Sequence, residues 1–227
     1  TYFFGMFVVA HAFLGVLLGL VFLEITGDRR AVPVCVAGAL LPDILDKPLA
    51  LIVPALGSGR TIGHCLLFVL VLSFLALILY KYRHTLLGVA FVAGIFLHQV
   101  FDSMWETLQT WLFPVFGPFP IMTIKSYTGY YLWLELLSPS EWLFFLASLV
   151  ILAGMVAIKP LRSCWYLITA AILGFMGLFL LASAWSGQGG SFFAPSYPAI
   201  PSALTGFLAI LGMFFFIAIA RNKIRII

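Results

Sequence analysis

The sequence predicts an all-α, polytopic transmembrane helical bundle, and two observations lead to this fold class. Of the 227 residues, 63% are hydrophobic and only 9% are charged, with a mean hydropathy of +1.16, whereas soluble domains carry about 25% charged residues. The apolar runs are about 20 residues long, which is the length of a membrane-crossing helix. They do not alternate strictly between polar and apolar residues, which excludes a transmembrane barrel.

Seven apolar segments follow one another along the chain. They lie at about residues 4–24, 31–56, 62–80, 86–106, 139–158, 164–185 and 201–220. The second segment is predicted to be broken between Pro42 and Lys47, because proline removes a helical hydrogen bond. The connection 107–138 is aromatic and contains several prolines, so we expect it to lie in the membrane interface or to re-enter the membrane. Its Trp111, near a predicted outer end, is expected to be an interface anchor.

Basic residues give the predicted sidedness. They follow the first, third and fifth segments and the last one: Arg29, Arg30, Lys81, Arg83, Lys159, Arg162, Arg221, Lys223 and Arg225. Seven crossings place all of them on one side, which the positive-inside rule makes cytoplasmic. We therefore expect a multi-pass protein of the cell membrane with its N-terminus outside and its C-terminus in the cytoplasm. Six crossings, with 31–56 as a re-entrant hairpin, would put Arg29 and Arg30 on the wrong side.

Ionisable residues away from these loops are the main functional signal, because such groups are costly inside a membrane. They are His11, Asp43, Asp46, Lys47, Arg60, His64, His98, Asp102 and Glu106. His98 and Asp102 are four residues apart, as are Arg60 and His64, which places each pair on one face of a helix. At a rise of about 1.5 Å per residue, the clusters fall in the outer half of the bilayer, so we expect one shared site. Glu106 could extend that site or simply end the fourth helix.

The predicted site has the ligand chemistry of a divalent metal, most simply Zn²⁺ or Mn²⁺, since it offers imidazole and carboxylate donors. The expected ligands are His11, Asp43, Asp46, His64, His98 and Asp102. They could hold one ion, with the remaining carboxylates hydrogen-bonded to its ligands, or two ions bridged by an aspartate. The predicted catalytic residues are Asp43, as general base or bridge, and Arg60 and Lys47, which would bind a phosphate or stabilise developing negative charge. Each residue also has a structural explanation, such as an intrahelical pair, a helix cap or core packing.

The order of these residues carries a family resemblance. The chain contains His11, then Leu-Pro-Asp43-Ile-Leu-Asp46, then Gly-Arg60-Thr-Ile-Gly-His64, then His98-Gln-Val-Phe-Asp102. Over about residues 11–120 it resembles the membrane-bound metal-dependent hydrolases of the YdjM type, in an archaeal-like variant. The resemblance implies a hydrolase-like transmembrane core in residues 1–120, with residues 121–227 adding the remaining helices of the same single domain. Two positions depart from the family pattern: Lys47 stands where a histidine often follows, and Gly63 precedes His64 in place of threonine.

The leading prediction is an integral membrane hydrolase in which water activated by the ion attacks a lipid or lipid-linked phosphoester entering from the outer leaflet. A transporter or proton-coupled protein could use the same cluster, although no inverted repeat is visible. A third interpretation is a non-catalytic subunit of a membrane complex. The expected partners are the lipid bilayer and a lipid-like substrate. The net charge of +4 does not indicate nucleic-acid binding, because the basic residues lie at helix ends, and the oligomeric state is not predicted.

Overall fold

The computed structural model describes residues 8–53, 59–120, 137, 139–157, 162–186 and 199–224. These residues form eight α-helices and two short 3₁₀ helices and contain no β-strand, which confirms the predicted all-α fold class. The α-helices are α1 (Val8–Thr26), α2 (Ala31–Ile52), α3 (Leu66–Arg83), α4 (Leu87–Phe101), α5 (Leu108–Trp111), α6 (Pro139–Ala157), α7 (Arg162–Trp185) and α8 (Ala199–Ile224). The 3₁₀ helices span Ile62–His64 and Met104–Glu106.

Within the part of the chain that the structure describes, three helical stretches are long and apolar enough to cross a membrane: Val8–Thr26, Leu66–Arg83 and Trp165–Ala182. Shorter apolar helices cover Leu87–Phe101, Glu141–Ala153 and Gly206–Arg221. α3 exposes leucine, valine and phenylalanine side chains along its length, and a large apolar surface of this kind is typical of contact with lipid or with another protein. These lengths and compositions support a membrane-embedded helical bundle. The number of crossings and their sidedness stay predictions, and Lys159 and Arg225 lie outside the described residues.

The predicted break in the second segment does not occur. α2 continues from Ala31 to Ile52 with Pro42 and Pro48 inside it. Each proline removes one hydrogen bond, and membrane helices tolerate this where neighbouring groups surround the freed backbone. Because the helix is continuous, Asp43 and Asp46 lie one turn apart, and both are buried.

A tight turn joins α1 to α2. Gly27 follows α1 with a φ of +70°, a conformation that glycine adopts without strain, and its N–H donates to the Leu23 carbonyl at 2.8 Å. The carboxylate of Asp28 then accepts hydrogen bonds from the backbone N–H of Arg30 at 2.9 Å and from its guanidinium at 2.9 Å. The guanidinium hydrogen bond lowers the pKa of Asp28 below its usual value. This ion pair belongs to an exposed loop and not to the buried cluster.

The chain divides into two compact units, Met6–Leu137 and Ser138–Ile227. In the first unit α2 packs against both α1 and α4. Glycines allow the backbones to approach closely: a Cβ added at Gly19 would lie 2.5 Å from Val32 Cα, and one at Gly94 would lie 2.5 Å from the Cys35 carbonyl oxygen. In the second unit α7 packs on α8. This close packing of helices in the first unit holds the polar side chains described next.

Candidate metal centre

The predicted site residues meet at the end of the first unit where α1 begins and α4 ends. They are His11 of α1, Asp43 and Asp46 of α2, Arg60 and His64 of the turn before α3, His98 of α4, and Asp102 at the C-terminal cap of α4. All seven are less than one-tenth exposed. The side chain of Lys47 also reaches this cluster but is 32% exposed. The structure therefore brings together every residue of the predicted ligand set and the predicted catalytic set.

The turn before α3 differs from the sequence prediction. Arg60 and His64 do not share an α-helical face, because α3 begins only at Leu66 and His64 ends a 3₁₀ helix. Gly59 starts this turn with a φ of +61°, which favours glycine. Both side chains nevertheless approach Asp102 Oδ2, with Arg60 Nη2 at 2.8 Å and His64 Nε2 at 3.5 Å. The backbone of the turn therefore brings both side chains to the same carboxylate, although they do not lie on one face of an α-helix.

Asp46 orients the ring of His64. Its Oδ2 accepts hydrogen bonds from the backbone N–H of Thr61 at 2.6 Å and from His64 Nδ1 at 2.7 Å, and its Oδ1 accepts from the Gly63 N–H at 3.0 Å. A carboxylate that accepts two backbone N–H groups is ionised and has no proton to give, so the proton of this contact is on His64 Nδ1. In the neutral ring, Nε2 of His64 is then an acceptor with a free lone pair.

The ring of His98 is also oriented by a hydrogen bond from its Nδ1. Nδ1 of His98 lies 2.7 Å from the carbonyl oxygen of Ala39 in α2, and a carbonyl can only accept, so Nδ1 is the donor. Nε2 of His98 lies 3.1 Å from Nε2 of His64. Two neutral rings protonated at Nδ1 therefore direct their lone pairs at each other. That arrangement is favourable only when a cation, either a proton or a metal ion, lies between the two nitrogens.

Asp102 joins the remaining histidine and the buried arginine. Its Oδ1 lies 3.0 Å from His11 Nε2, and its Oδ2 forms the ion pair with Arg60. The His11 ring stacks on His98 with centroids 3.8 Å apart and planes inclined by 27°. Nδ1 of His11 is buried and has no hydrogen-bond partner among the described residues. Buried polar atoms are normally paired, so this nitrogen is open to contact with a further polar group.

Asp43 lies on the partly exposed side of the cluster. Its Oδ2 accepts a hydrogen bond from Lys47 Nζ at 2.8 Å, one turn along α2. Its Oδ1 lies 3.9 Å from His64 Nε2. The ammonium group of Lys47 offsets the charge of a carboxylate that burial would otherwise make costly. Asp43 thus connects the buried imidazole pair to the more exposed rim of the site.

Among the described residues, two sets of donor atoms are close enough to hold a metal ion. One consists of His11, His98 and Asp102, and the other of Asp43, His64 and His98, with the donor atoms of each set within 4.8 Å of one another. Both sets use His98, whose Nδ1 already donates to Ala39. Only Nε2 of His98 remains for a metal, so two ions cannot each take a bond from this ring. The buried groups could hold a metal ion, and the shared ring favours one at a time.

Gln99 is a further member of the site that is absent from the predicted set, because that set contains only ionisable residues. This amide is fully buried beside His98, and its Nε2 donates to the carbonyls of Gly63 at 2.9 Å and Cys65 at 3.2 Å. The signal was present, because a glutamine inside an apolar segment also needs a partner. Glu106, which was ambiguous, is exposed in the second 3₁₀ helix. His84, which is not among the predicted site residues, is exposed at the end of α3.

Fold and site together define a helical membrane protein with a buried histidine–aspartate cluster. The model of the YdjM inner membrane protein family matches residues 6–187. The match covers most of the chain, which therefore belongs to this family. It includes all the site residues described above and continues past residue 120, where the resemblance of the motifs ended. No curated protein and no solved structure matched the chain.

Proposed function

We propose that this protein is a membrane-embedded, metal-dependent hydrolase that holds one divalent ion, Zn²⁺ or Mn²⁺, between His64 and His98. The observation that carries the proposal is the approach of their Nε2 atoms to 3.1 Å while both Nδ1 atoms donate elsewhere. Zinc–nitrogen bonds of about 2.0–2.1 Å in a tetrahedral site keep two ligating nitrogens about 3.3 Å apart. The side chains present therefore fit such an ion.

Carboxylates complete the proposed ligand set. Asp43 and Asp102 each have an oxygen within 4 Å of His64 Nε2, at 3.9 and 3.5 Å. His11 either joins the ligands or holds Asp102, whose Oδ1 it approaches at 3.0 Å. We assign Asp46 a different role from the one predicted, because its oxygens already accept three hydrogen bonds in the turn that carries His64. It orients the ligand His64, as carboxylates that hydrogen-bond to histidine ligands do in zinc sites.

The charge balance supports a single ion and an anionic substrate. Three carboxylates, Asp43, Asp46 and Asp102, face two cations, Arg60 and Lys47, so the cluster carries one negative charge when its histidines are neutral. One divalent ion turns this into one positive charge, which an anionic group would offset. Two ions would leave three positive charges in a buried site, and burying uncompensated charge is costly. A phosphoester of a lipid or lipid-linked molecule has the required charge and could enter from the bilayer.

The chain's own residues have distinct roles in this proposal. When bound, the ion supplies Lewis acidity that activates water and polarises the phosphoryl group. Asp43 accepts a proton from the attacking water, because it combines proximity to His64 with a position near the exposed rim. Lys47 holds Asp43 in place and attracts the anionic group. Arg60, paired with Asp102, stabilises negative charge that develops during the reaction.

A proton-coupled transporter is the second candidate, and the same histidine pair favours it. A proton shared between His64 and His98 would also satisfy the two facing lone pairs, and intramembrane histidine–carboxylate clusters serve as proton relays. The two functions differ in what lies between the nitrogens. The presence of a stoichiometric metal ion therefore separates them.

The test is metal analysis of protein purified in detergent from cells grown with added zinc and manganese. We expect about one divalent ion per chain, identified by its X-ray absorption edge, and hydrolysis of a phosphodiester lipid that stops when a chelator removes the ion. His64→Ala, His98→Ala and Asp102→Ala should each lose most of the metal. His84→Ala changes an exposed histidine and should retain it. Full metal content in all three site variants would contradict the proposal, and a metal-free wild-type protein would favour the transporter.

A further inference from the structure

Gln99 connects the two helical elements that carry the facing histidines. It follows His98 in α4, is fully buried, and donates from Nε2 to the carbonyls of Gly63 and Cys65. These two carbonyls belong to the residues on either side of His64. Gln99 therefore ties the backbone on both sides of one histidine to the backbone of the other. No ionisable group takes part in this link.

Trp111 fixes the orientation of the Gln99 amide. The indole Nε1–H of Trp111 in α5 donates to Gln99 Oε1 at 2.9 Å. Carbonyls need a donor and an indole needs an acceptor, so only one orientation of the amide satisfies all three contacts. Trp111 was expected to be an interface anchor, but its indole N–H makes a hydrogen bond inside the protein. The connection after α4 thus reaches back to the turn that carries His64.

We propose that Gln99, oriented by Trp111, is a positioning residue that sets the separation of the His64 and His98 Nε2 atoms. This inference rests on the proposed metal-dependent function, since a metal ion is sensitive to ligand spacing. Two other contacts fix the rotation of each ring, Asp46 for His64 and Ala39 for His98. Neither contact joins the turn directly to α4. The Gln99 amide links the turn to α4 beside His98, whereas another direct contact, the Arg60–Asp102 ion pair, lies at the C-terminal cap of α4. Losing the amide therefore allows the backbone around His64 to shift relative to His98.

The test measures Co²⁺ binding by its visible absorption, which reports both affinity and ligand geometry. Gln99→Met keeps the size of the side chain but cannot donate to the two carbonyls. We expect Co²⁺ to bind about 10–100-fold more weakly, the usual effect of removing a group that orients a ligand, and its absorption bands to change. Trp111→Phe should weaken binding less, because the carbonyl contacts can persist. In the Q99M background, Trp111→Phe should have no further effect if it acts through Gln99.

Gln109→Met is the matched control. Gln109 also donates to a backbone carbonyl, that of Pro118 at 2.7 Å, but it is exposed and outside the metal centre. It should bind Co²⁺ with the wild-type affinity and spectrum. If Q99M bound Co²⁺ with the wild-type affinity and spectrum, the inference about Gln99 would be overturned and the proposed function would stand. Should Q99M not fold, a W111F variant with unchanged Co²⁺ affinity and spectrum would overturn it. A wild-type protein that binds no Co²⁺, Zn²⁺ or Mn²⁺ would overturn both the inference and the proposed function.

Discussion

At the scale of single residues, the candidate metal centre depends on a few groups that fix which histidine nitrogen carries the proton. Asp46 does this for His64, and the Ala39 carbonyl does it for His98. The sequence predicted that Asp46, His64 and His98 belong to the site, but it gave no basis for separating ligands from orienting groups and did not identify Ala39. That distinction depends on hydrogen bonds formed by the backbone of residues 61–63, which a pattern of side chains does not contain.

Replacing Asp46 by asparagine tests this separation of roles. An asparagine has one acceptor oxygen for the three N–H groups that Asp46 accepts, so at least one donor would face the amide NH₂. We expect metal to bind about 10–100-fold more weakly while some binding persists, as measured by titration with a chromophoric chelator. The unfolding free energy should fall by about 1–3 kcal/mol, because a buried donor loses its partner.

The control for that experiment is Asp28→Asn. Asp28 also accepts from a backbone N–H and pairs with Arg30, but it lies in the exposed turn between α1 and α2. Ion pairs between fully exposed side chains contribute little to stability, so both metal affinity and stability should change little. Complete loss of metal in Asp46→Asn would make Asp46 a direct ligand. Equal losses in the two variants would show that the effect is not specific to the centre.

At the scale of helices, the sequence predicted most elements but missed where the fourth one ends. Length and hydropathy placed α1, α3 and the later helices, because a hydrophobic run is visible without tertiary information. The fourth segment was expected to continue to Glu106, but α4 ends at Phe101 and Ser103 adopts a φ of +53°. This turn allows Asp102 to face both His11 and Arg60. Such a local departure from helix is set by the buried contacts of Asp102 and has no signature in composition.

The contact between α2 and α4 gives a prediction at the element scale. A Cβ added at Gly94 would lie 2.5 Å from the Cys35 carbonyl oxygen and 2.9 Å from the Ala39 nitrogen. Both atoms are backbone of α2, so Gly94→Ala must push the helices apart and draw His98 away from the Ala39 carbonyl. We expect a loss of about 1–3 kcal/mol of stability together with weaker metal binding, measured by thermal unfolding and metal titration.

Gly174→Ala provides the comparison. Gly174 and Met213 both lie in the second unit of the chain, away from the candidate site. A Cβ added at Gly174 would meet only the flexible side chain of Met213. Alanine is also a better helix former than glycine by about 1 kcal/mol, so this variant should be as stable as the wild type or more stable. Its metal affinity should be unchanged. The account of the α2–α4 contact would fail if Gly94→Ala behaved in the same way.

At the scale of the whole molecule, the apolar amino-acid composition and the order of the motifs identified the class of protein. The arrangement of the site could be seen only in the folded structure. The family match to residues 6–187 confirms the resemblance based on the motifs. The convergence of His11 from α1 with Asp102, 91 residues later, depends on the packing of α1 and α4. Sequence patterns placed these residues at similar depths but could not show which atoms meet. The facing nitrogens of His64 and His98 likewise appear only in three dimensions.

The remaining prediction concerns which side of the membrane the site faces. Seven crossings put the turn between α1 and α2 in the cytoplasm and the site end of the first unit in the outer half of the bilayer. Asp28→Cys marks the first position, and Val115→Cys, at a residue that is 80% exposed after α5, marks the second. In intact cells a membrane-impermeant maleimide should label Val115→Cys only, and Asp28→Cys should react after permeabilisation. The wild-type chain measures the background from its own cysteines, Cys35, Cys65 and Cys164, of which Cys35 and Cys65 are buried. The opposite labelling pattern would place the centre toward the cytoplasm, and a substrate would then have to come from the inner leaflet.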